Sequence, residues 1–264
     1  MTVEHPAPLV DAHCHVFRAD MPLRDNPRHA PTYDFTVEAL LEVLDANGVG
    51  FAVVAAASPW LDYNDYVIDS VAAHPRLRGT VILEPTVERL VMREMAQAGI
   101  IGVRMHMIGL ADMPDLTTFA WRRTLRRIAD LGWHVHLHAE CRDLPQILPL
   151  LEASGARLVV DHLGRPDPAE GFDSPGFRAL TDAIERGNTC VKASGPHRLG
   201  FDFAAAALGE LVRRTGTERL VWASDCPFVG SEATTYGSTV KWVLDVVPEP
   251  EARRRILGAN ALEL

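Results

Sequence analysis

The sequence contains few lysines and has an acidic net charge, and this balance limits the kinds of molecule that the protein can bind. Only Lys192 and Lys241 are lysines among 26 basic residues, against 35 acidic ones, and the formal net charge is −9. A nucleic-acid partner needs a basic surface that releases counterions from phosphates. The composition therefore argues against nucleic acid and is typical of a soluble enzyme.

Cysteine is also scarce, and no two cysteines form a CxxC pair. A zinc knuckle or dithiol redox motif is therefore unsupported, and buried free thiols in a reducing compartment are the simpler interpretation. No apolar stretch approaches the roughly 18 residues of a membrane helix, and the first residues do not form a signal sequence. We expect a cytoplasmic protein with no membrane partner, and the sequence is compatible with a homo-oligomer. The cysteines are Cys14, Cys141, Cys190 and Cys226.

Short apolar runs alternate with amphipathic segments along the chain. The runs are rich in Val, Ile or Leu and are bounded by Gly, Pro or Asp, which is typical of buried strands. Eight strands are predicted, over residues 9–13, 51–55, 79–83, 100–104, 133–138, 157–161, 188–192 and 219–224. The predicted helices between them span residues 36–46, 61–73, 87–98, 116–131, 144–153, 176–185, 203–215 and 236–246.

Buried parallel strands joined by helices form either an open doubly wound sheet or a closed barrel. Eight βα units favour closure, and no GxGxxG follows the first strand, as a dinucleotide-binding open sheet would require. A single (β/α)8 barrel typically has about 250 residues. We therefore predict one barrel domain over residues 1–264.

Polar residues follow the carboxyl ends of several predicted strands, which is where barrel enzymes carry their active sites. His13 and His15 end the first strand and point the same way, because residues two apart on a strand share a face. Two imidazoles at this spacing suit a divalent metal. Two hydrogen-bonded histidines in a turn are the alternative.

The fifth predicted strand carries three alternating histidines. His138 lies nearest the mouth and is the natural third metal ligand, whereas His134 and His136 lie deeper and suit a hydrogen-bonded layer. His162 follows the sixth strand, and Asp225 follows the eighth, where it could contact a metal and accept a proton. The combination favours a metal-dependent hydrolase.

The chain resembles the amidohydrolase superfamily, in the branch of amidohydrolase-2 proteins and 2-pyrone-4,6-dicarboxylate lactonases. The segments DHLGRP and WASDCP are the most discriminating. The motifs that carry the resemblance are VDAHCHVF (10–17), GVR (102–104), VDHLGRP (160–166), PHRL (196–199), WASDCP (222–227) and ILGAN (256–260).

The resemblance implies a role for each matching position. His13 and His15 would be metal ligands of the first strand, His162 would polarise a substrate carbonyl, and Asp225 would be the general base. Arg104, Arg198 and Ser58 would bind the substrate, the arginines through its carboxylate. A structural ion pair is the alternative for Arg104, and Lys192 is either a substrate contact or a buried ion-pair partner.

Two departures from the lactonases bear on the activity. Residues 105–110 read MHMIGL, so a second arginine expected about six residues after Arg104 is missing. His138 stands where the metal-independent lactonases have tyrosine. The fourth strand offers no lysine to bridge two ions, so one divalent ion, most simply zinc, is predicted.

These features predict a metal-dependent hydrolase that opens the lactone ring of a small carboxylate-bearing substrate. A metal-dependent nonoxidative decarboxylase and a metal-independent lactonase are the alternatives among enzymes. A barrel that only binds ligands is the alternative from another class.

Overall fold

Eight parallel strands alternate with helices in the computed structural model, which describes residues 8–110 and 112–264. Short apolar runs form the strands, as the alternation of the sequence predicts. The strands are β1 (Leu9–Cys14), β2 (Val49–Ala55), β3 (Leu77–Val81), β4 (Ile100–His106), β5 (His134–His138), β6 (Arg157–Val160), β7 (Thr189–Ala193) and β8 (Leu220–Trp222).

The helices pack around the strands, and their apolar faces contribute to one continuous core. They are α1 (Val37–Ala46), α2 (Asp65–Ala73), α3 (Arg89–Gln97), α4 (Phe119–Asp130), α5 (Leu144–Glu152), α6 (Pro175–Glu185), α7 (Pro196–Leu199), α8 (Phe201–Thr215), α9 (Tyr236–Val246), α10 (Pro250–Arg254) and α11 (Asn260–Glu263). The short helices α7, α10 and α11 are additions to the predicted set. Within the described ranges, no helix is long and apolar enough to cross a membrane.

The strands pair in sequence order from β1 to β8, and the sheet then closes on itself. Cys14 and Cys226 form a parallel bridge between the first strand and the end of the last. His15 N donates to Cys226 O at 2.8 Å, and Asp225 N donates to His13 O at 2.9 Å. These bonds exclude the open sheet and confirm the predicted (β/α)8 barrel.

Polar side chains fill part of the barrel interior, where aliphatic layers are usual. Thr80, His136 and Lys192 are almost fully buried, and so is Asp161 at the end of β6. Buried polar groups are retained at low cost only when they are hydrogen-bonded to one another. The interior is therefore organised as a polar network below the barrel mouth.

Many element boundaries differ by one to four residues from the predicted ones, and two of these shifts have a clear local cause. β3 begins at Leu77, two residues before the predicted start, because Leu77 and Arg78 already pair with β2. The helix α2 begins at Asp65 instead of residue 61, because Ser58–Trp60 forms a 3-10 turn and Leu61 has a φ of 47°. A left-handed backbone at Leu61 is incompatible with helix at that position.

Candidate active site

The imidazoles of His13 and His15 meet at the mouth of the barrel. Both residues leave β1 on the same face, and their Nε2 atoms lie 3.0 Å apart. His15 Nδ1 donates to Ala55 O at 2.7 Å, which leaves the Nε2 lone pair facing His13. His13 Nδ1 lies 3.2 Å from Asp161 Oδ1, so its Nε2 lone pair faces His15 in turn. Two lone pairs that face each other favour a cation between them.

Asp225 lies across the barrel seam, the junction where the end of β8 pairs with β1, and its carboxylate contacts both histidines. Its Oδ1 lies 3.5 Å from His13 Nε2 and 3.4 Å from His15 Nε2. Its Oδ2 accepts from Arg198 Nε at 2.9 Å and faces His197 Nε2 at 3.1 Å. The left-handed φ of 67° at Asp225 turns the chain as it leaves β8 and directs the carboxylate inward.

The three donors fit a single divalent ion. Atoms about 2.0–2.1 Å from one zinc ion in tetrahedral geometry lie roughly 3.4 Å from each other. The three observed separations are 3.0, 3.4 and 3.5 Å. Two imidazoles and a carboxylate are also ligand types that zinc binds readily.

Asp225 is ionised in this environment. Burial raises its pKa, but its contacts with His162, Arg198, His15 and His197 outweigh burial and hold the pKa well below its ordinary value. The carboxylate therefore carries its negative charge across the neutral pH range.

Asp161 joins the barrel interior to the mouth. Its Oδ1 faces His136 Nε2 at 2.5 Å, Lys192 Nζ at 3.3 Å and His13 Nδ1 at 3.2 Å, and its Oδ2 accepts from Arg104 at 3.4 Å. The positive partners hold the pKa of Asp161 well below its ordinary value although burial raises it. Asp161 therefore fixes the orientation of His13 from behind, as partners of metal-binding histidines commonly do.

The ligand atoms of His13, His15 and Asp225 form a triangle, called the donor triangle below. His138 lies beside it in a second group of possible metal ligands. Its ligand atoms cluster with those of Asp161 and His162, whereas His13, His15 and Asp225 form the first group. Burial lowers the pKa of His138 well below its ordinary value, so the ring is neutral. Its Nε2 is buried without a hydrogen-bond partner among the described residues, which leaves that atom free for a ligand.

His162 presents one ring nitrogen to the site and anchors the other. Its backbone N–H donates to Ser194 Oγ at 3.3 Å, and that hydroxyl lies 2.9 Å from His162 Nδ1. The tautomer in which Nδ1 accepts the Ser194 proton carries its own N–H on Nε2. Nε2 lies 4.0 Å from Asp225 Oδ2. Burial is the largest cause that lowers the pKa of His162 to about 4, so the ring is a neutral donor.

Arg104 and Arg198 both line the cavity above the donor triangle. Arg104 donates to Ala56 O at 2.8 Å and to Asp161, and its Nε is buried without a partner among the described residues. Arg198 donates to Asp225 through Nε and to Val229 O through Nη1 at 3.0 Å. The sequence left two alternatives for Arg104, a substrate contact and a structural ion pair. In the structure Arg104 both pairs with Asp161 and lines the cavity.

The cavity opens to bulk solvent, and the space within it, open solvent included, is about 610 Å³. Ser58 lies on its wall in the 3-10 turn after β2, beside Trp60. Lys192 is 1% exposed and does not line this cavity, and its Nζ lies 2.8 Å from His136 Nε2. Burial lowers the pKa of Lys192 to about 8, although the Asp161 carboxylate opposes that shift.

Sequence reasoning assigned no role to Asp161, His197, Arg28 or Arg165. Asp161 and His162 are adjacent, so strand alternation would place only one of them inside. The chain leaves β6 after Val160, and His162 has a φ of 50°, so both side chains reach the interior. The PHRL motif contained the signal for His197, because its neighbour Arg198 was already a candidate.

A closed parallel barrel with histidines after β1, β5 and β6 and an aspartate after β8 is the arrangement of the amidohydrolases. Residues 10–264 match the family model described as Amidohydrolase, and the chain belongs to this family.

Individual relatives match over nearly the whole chain. A 2-pyrone-4,6-dicarboxylate hydrolase of Comamonas testosteroni is 28% identical, with 98% of this chain and 90% of that protein covered. A 4-sulfomuconolactone hydrolase of Hydrogenophaga intermedia is 25% identical, with 96% and 87% covered. A crystal structure of a candidate 2-pyrone-4,6-dicarboxylic acid hydrolase from Pseudomonas putida is 37% identical with a TM-score of 0.89, covering 98% of this chain and 97% of that one.

Proposed function

We propose that this protein is a metal-dependent hydrolase that opens the lactone ring of a small carboxylate-bearing substrate. The observation that carries the proposal is the donor triangle of His13, His15 and Asp225 at the base of a cavity lined by Arg104 and Arg198. The lactone hydrolases among the relatives support the reaction class.

One divalent ion, most simply zinc, would be held by His13, His15 and Asp225, with His138 as a further donor. The unpartnered Nε2 of His138 supports its inclusion. When bound, the ion lowers the pKa of a coordinated water toward about 7 and polarises an ester carbonyl.

Arg104 and Arg198 in the cavity wall orient the substrate. The terminal nitrogens of Arg198 and the Nε of Arg104 retain donor capacity for a substrate carboxylate, and Ser58 contributes a hydroxyl from the same wall. The Nε2–H of His162 donates to the lactone carbonyl oxygen, where negative charge develops as water attacks. Lys192 acts from below as the ion-pair partner of Asp161.

Asp225 carries the proton. It accepts a proton from the attacking water as the new C–O bond forms at the carbonyl carbon. The bond from that carbon to the ring oxygen then breaks, and Asp225 returns the proton to the departing oxygen. The product is an open-chain hydroxy acid or its keto tautomer.

A substrate screen with metal analysis tests the proposal. Purified protein is assayed for zinc content and then with a panel of carboxylated lactones, including 2-pyrone-4,6-dicarboxylate, and neutral lactones. We expect about one ion per chain, ring-opened acid as product, and loss of activity on chelation with recovery on adding zinc. Release of carbon dioxide would identify a decarboxylase instead. Full activity after complete metal removal would identify a metal-independent lactonase.

The His138→Asn variant tests the wider donor set. We expect lower zinc occupancy because one donor is removed. Unchanged occupancy and turnover would exclude His138 from the site.

We also propose a cytoplasmic location, because all four cysteines are buried free thiols, the usual state in a reducing compartment. Disulfide-linked protein isolated directly from cells would contradict this location.

A further inference from the structure

The carboxylate of Asp11 joins the first and last strands of the barrel beside the donor triangle. Asp11 is fully buried. Its Oδ1 accepts from the backbone N–H groups of His13 at 3.1 Å and Ser224 at 2.9 Å. Its Oδ2 accepts from Ser224 Oγ at 2.5 Å and from the Tyr236 hydroxyl at 2.7 Å. Both oxygens are therefore satisfied by hydrogen bonds, as a buried carboxylate requires.

The contact with His13 lies at an irregularity of β1. Asp11 pairs with Ala52 and Cys14 pairs with Val54, so two residues of β1 lie opposite one residue of β2 between these pairs. A β-bulge of this kind interrupts the ladder and changes the direction of side chains near active sites. Asp11 accepts the N–H of His13 inside the bulge, and it therefore fixes the backbone from which the His13 imidazole reaches the donor triangle.

Asp11 also holds the chain on both sides of Asp225. It accepts directly from Ser224 N, and Ser224 Oγ accepts in turn from Cys226 N at 3.0 Å. The backbone of Asp225 is left-handed, with a φ of 67°, and such a conformation persists only where neighbouring contacts require it. The hydrogen bonds of Asp11 and Ser224 are contacts of this kind, immediately before and after Asp225.

Tyr236 connects helix α9 to the same carboxylate. It is the first residue of α9, and its ring packs edge-on against Trp222 of β8, with the ring centroids 5.8 Å apart. The side chain is buried, and its hydroxyl donates to Asp11 Oδ2. The helix that follows the last strand is therefore tied back to the first strand at Asp11.

We infer that Asp11 is a positioning residue that sets the spacing between the β1 and β8 ligands, and that Tyr236 holds Asp11 in place. This inference rests on the proposed function, because the spacing matters only if one ion is bound by both strands. Asp11 does not line the cavity, and it acts through the backbones of His13 and Asp225. Loss of its hydrogen bonds should weaken metal binding although every ligand is retained.

Zinc affinity tests this role when Zn²⁺ is titrated against a chromogenic chelator. We expect Asp11→Ala to weaken zinc binding about 10- to 100-fold, the usual loss when a group that orients metal ligands is removed. Asp11→Asn keeps an oxygen for the two backbone N–H groups and should recover most of the affinity. Protein loaded with Co²⁺ reports the ligand geometry, and the visible absorption bands of Asp11→Ala should differ from those of the wild type.

Two tyrosine variants separate positioning from general stability. Tyr236→Phe removes only the hydroxyl that contacts Asp11 and should weaken zinc binding about 3- to 10-fold. It is a milder change, so this test does not depend on the folding of Asp11→Ala. Tyr66→Phe is the control, because that hydroxyl accepts from Val37 N at 3.1 Å, away from the seam. It should lower stability in urea to a similar extent and change zinc affinity less than about twofold.

The outcomes distinguish this inference from the proposed function. Equal zinc affinities of the wild type, Asp11→Ala and Tyr236→Phe would overturn the inference alone, and so would equal losses in the two tyrosine variants. A wild type that binds no Zn²⁺ would reject the proposed function and the inference with it. Zinc binding that depends on Asp11, without hydrolysis of any lactone, would keep the positioning role and reject the proposed reaction.

Discussion

The two carboxylate oxygens of Asp225 face different partners. Oδ1 faces the histidine pair, and Oδ2 accepts from Arg198 and faces His197. The second set of contacts fixes the carboxylate plane, so Oδ1 stays directed at the site. A base in this position is ionised at neutral pH, as its lowered pKa requires.

We predict that Asp225→Asn lowers turnover by about 10²- to 10⁴-fold, because an amide of the same size cannot accept a proton. The fold should persist, with a melting temperature near that of the wild type. Steady-state kinetics and zinc analysis on the same preparation check the assignment. A large loss of zinc would show that Asp225 is chiefly a ligand, and near-normal turnover with zinc bound would exclude proton transfer.

Ser194 is a positioning residue for His162. We predict that Ser194→Ala lowers kcat about tenfold with little change in KM, because the ring loses the hydroxyl that assigns its N–H to Nε2. Ser194→Thr keeps the hydroxyl and should retain more activity than alanine. An increase in KM with unchanged kcat would place Ser194 in substrate binding instead.

Residues that obey strand alternation could be predicted from the sequence. His13 and His15 are two residues apart at the end of β1, and their Nε2 atoms lie 3.0 Å apart. Asp161 and Arg165 could not be assigned in this way, because left-handed residues after β6 break the alternation. Arg28 lies in a long loop whose path depends on tertiary contacts.

At the scale of elements, β4 packs tightly against β5 at Gly102. A Cβ on this residue would lie 2.7 Å from His134 O and 2.9 Å from its ring. Those atoms belong to a paired strand and a buried imidazole, so neither can move away easily. The pairing also aligns Arg104 with His136 and His106 with His138, and it therefore sets the height of the site residues on both strands.

We predict that Gly102→Ala destabilises the protein by about 1–3 kcal/mol, the usual cost of overpacking a core. Gly209→Ala is the control, since the nearest heavy atom to a Cβ there is 4.0 Å away and alanine is the better helix former by roughly 0.5–1 kcal/mol. Urea unfolding of both variants measures the difference. Equal stability of the two variants would show that β4 can shift without cost.

The number and order of the elements could be predicted, whereas some of their boundaries could not. Runs of Val and Leu identify β2, β6 and β8 directly. The start of α2 depends on Leu61, which has a φ of 47° and whose backbone N–H contacts Ser58 O at the end of the 3-10 turn. Hydrophobic periodicity contains no information about that contact.

At the scale of the whole molecule, buried neutral histidines link stability to pH. Burial, followed by the charges of Lys192 and Arg157, lowers the pKa of His134 to about 3. The unfolded chain therefore binds the proton near its ordinary pKa of about 6.5, and the folded chain does not. Each such histidine removes about 1.4 kcal/mol of stability per pH unit as the pH falls below that value.

We predict that the metal-free protein loses stability steadily between pH 6.5 and pH 4. Urea unfolding at several pH values measures the slope. His134→Gln should reduce the slope by the equivalent of one proton, about 1.4 kcal/mol per pH unit. An identical slope in the variant would mean that His134 is protonated in the folded protein.

The seam of the barrel runs through the proposed metal site. His13 and His15 emerge from the ribosome more than two hundred residues before Asp225, and the two groups meet only when β8 docks against β1. A nascent chain therefore holds an incomplete set of these three groups until β8 has formed. An ion bound across the seam, as the proposed function requires, would tie the last strand to the first and would resist any unzipping of the barrel from its ends.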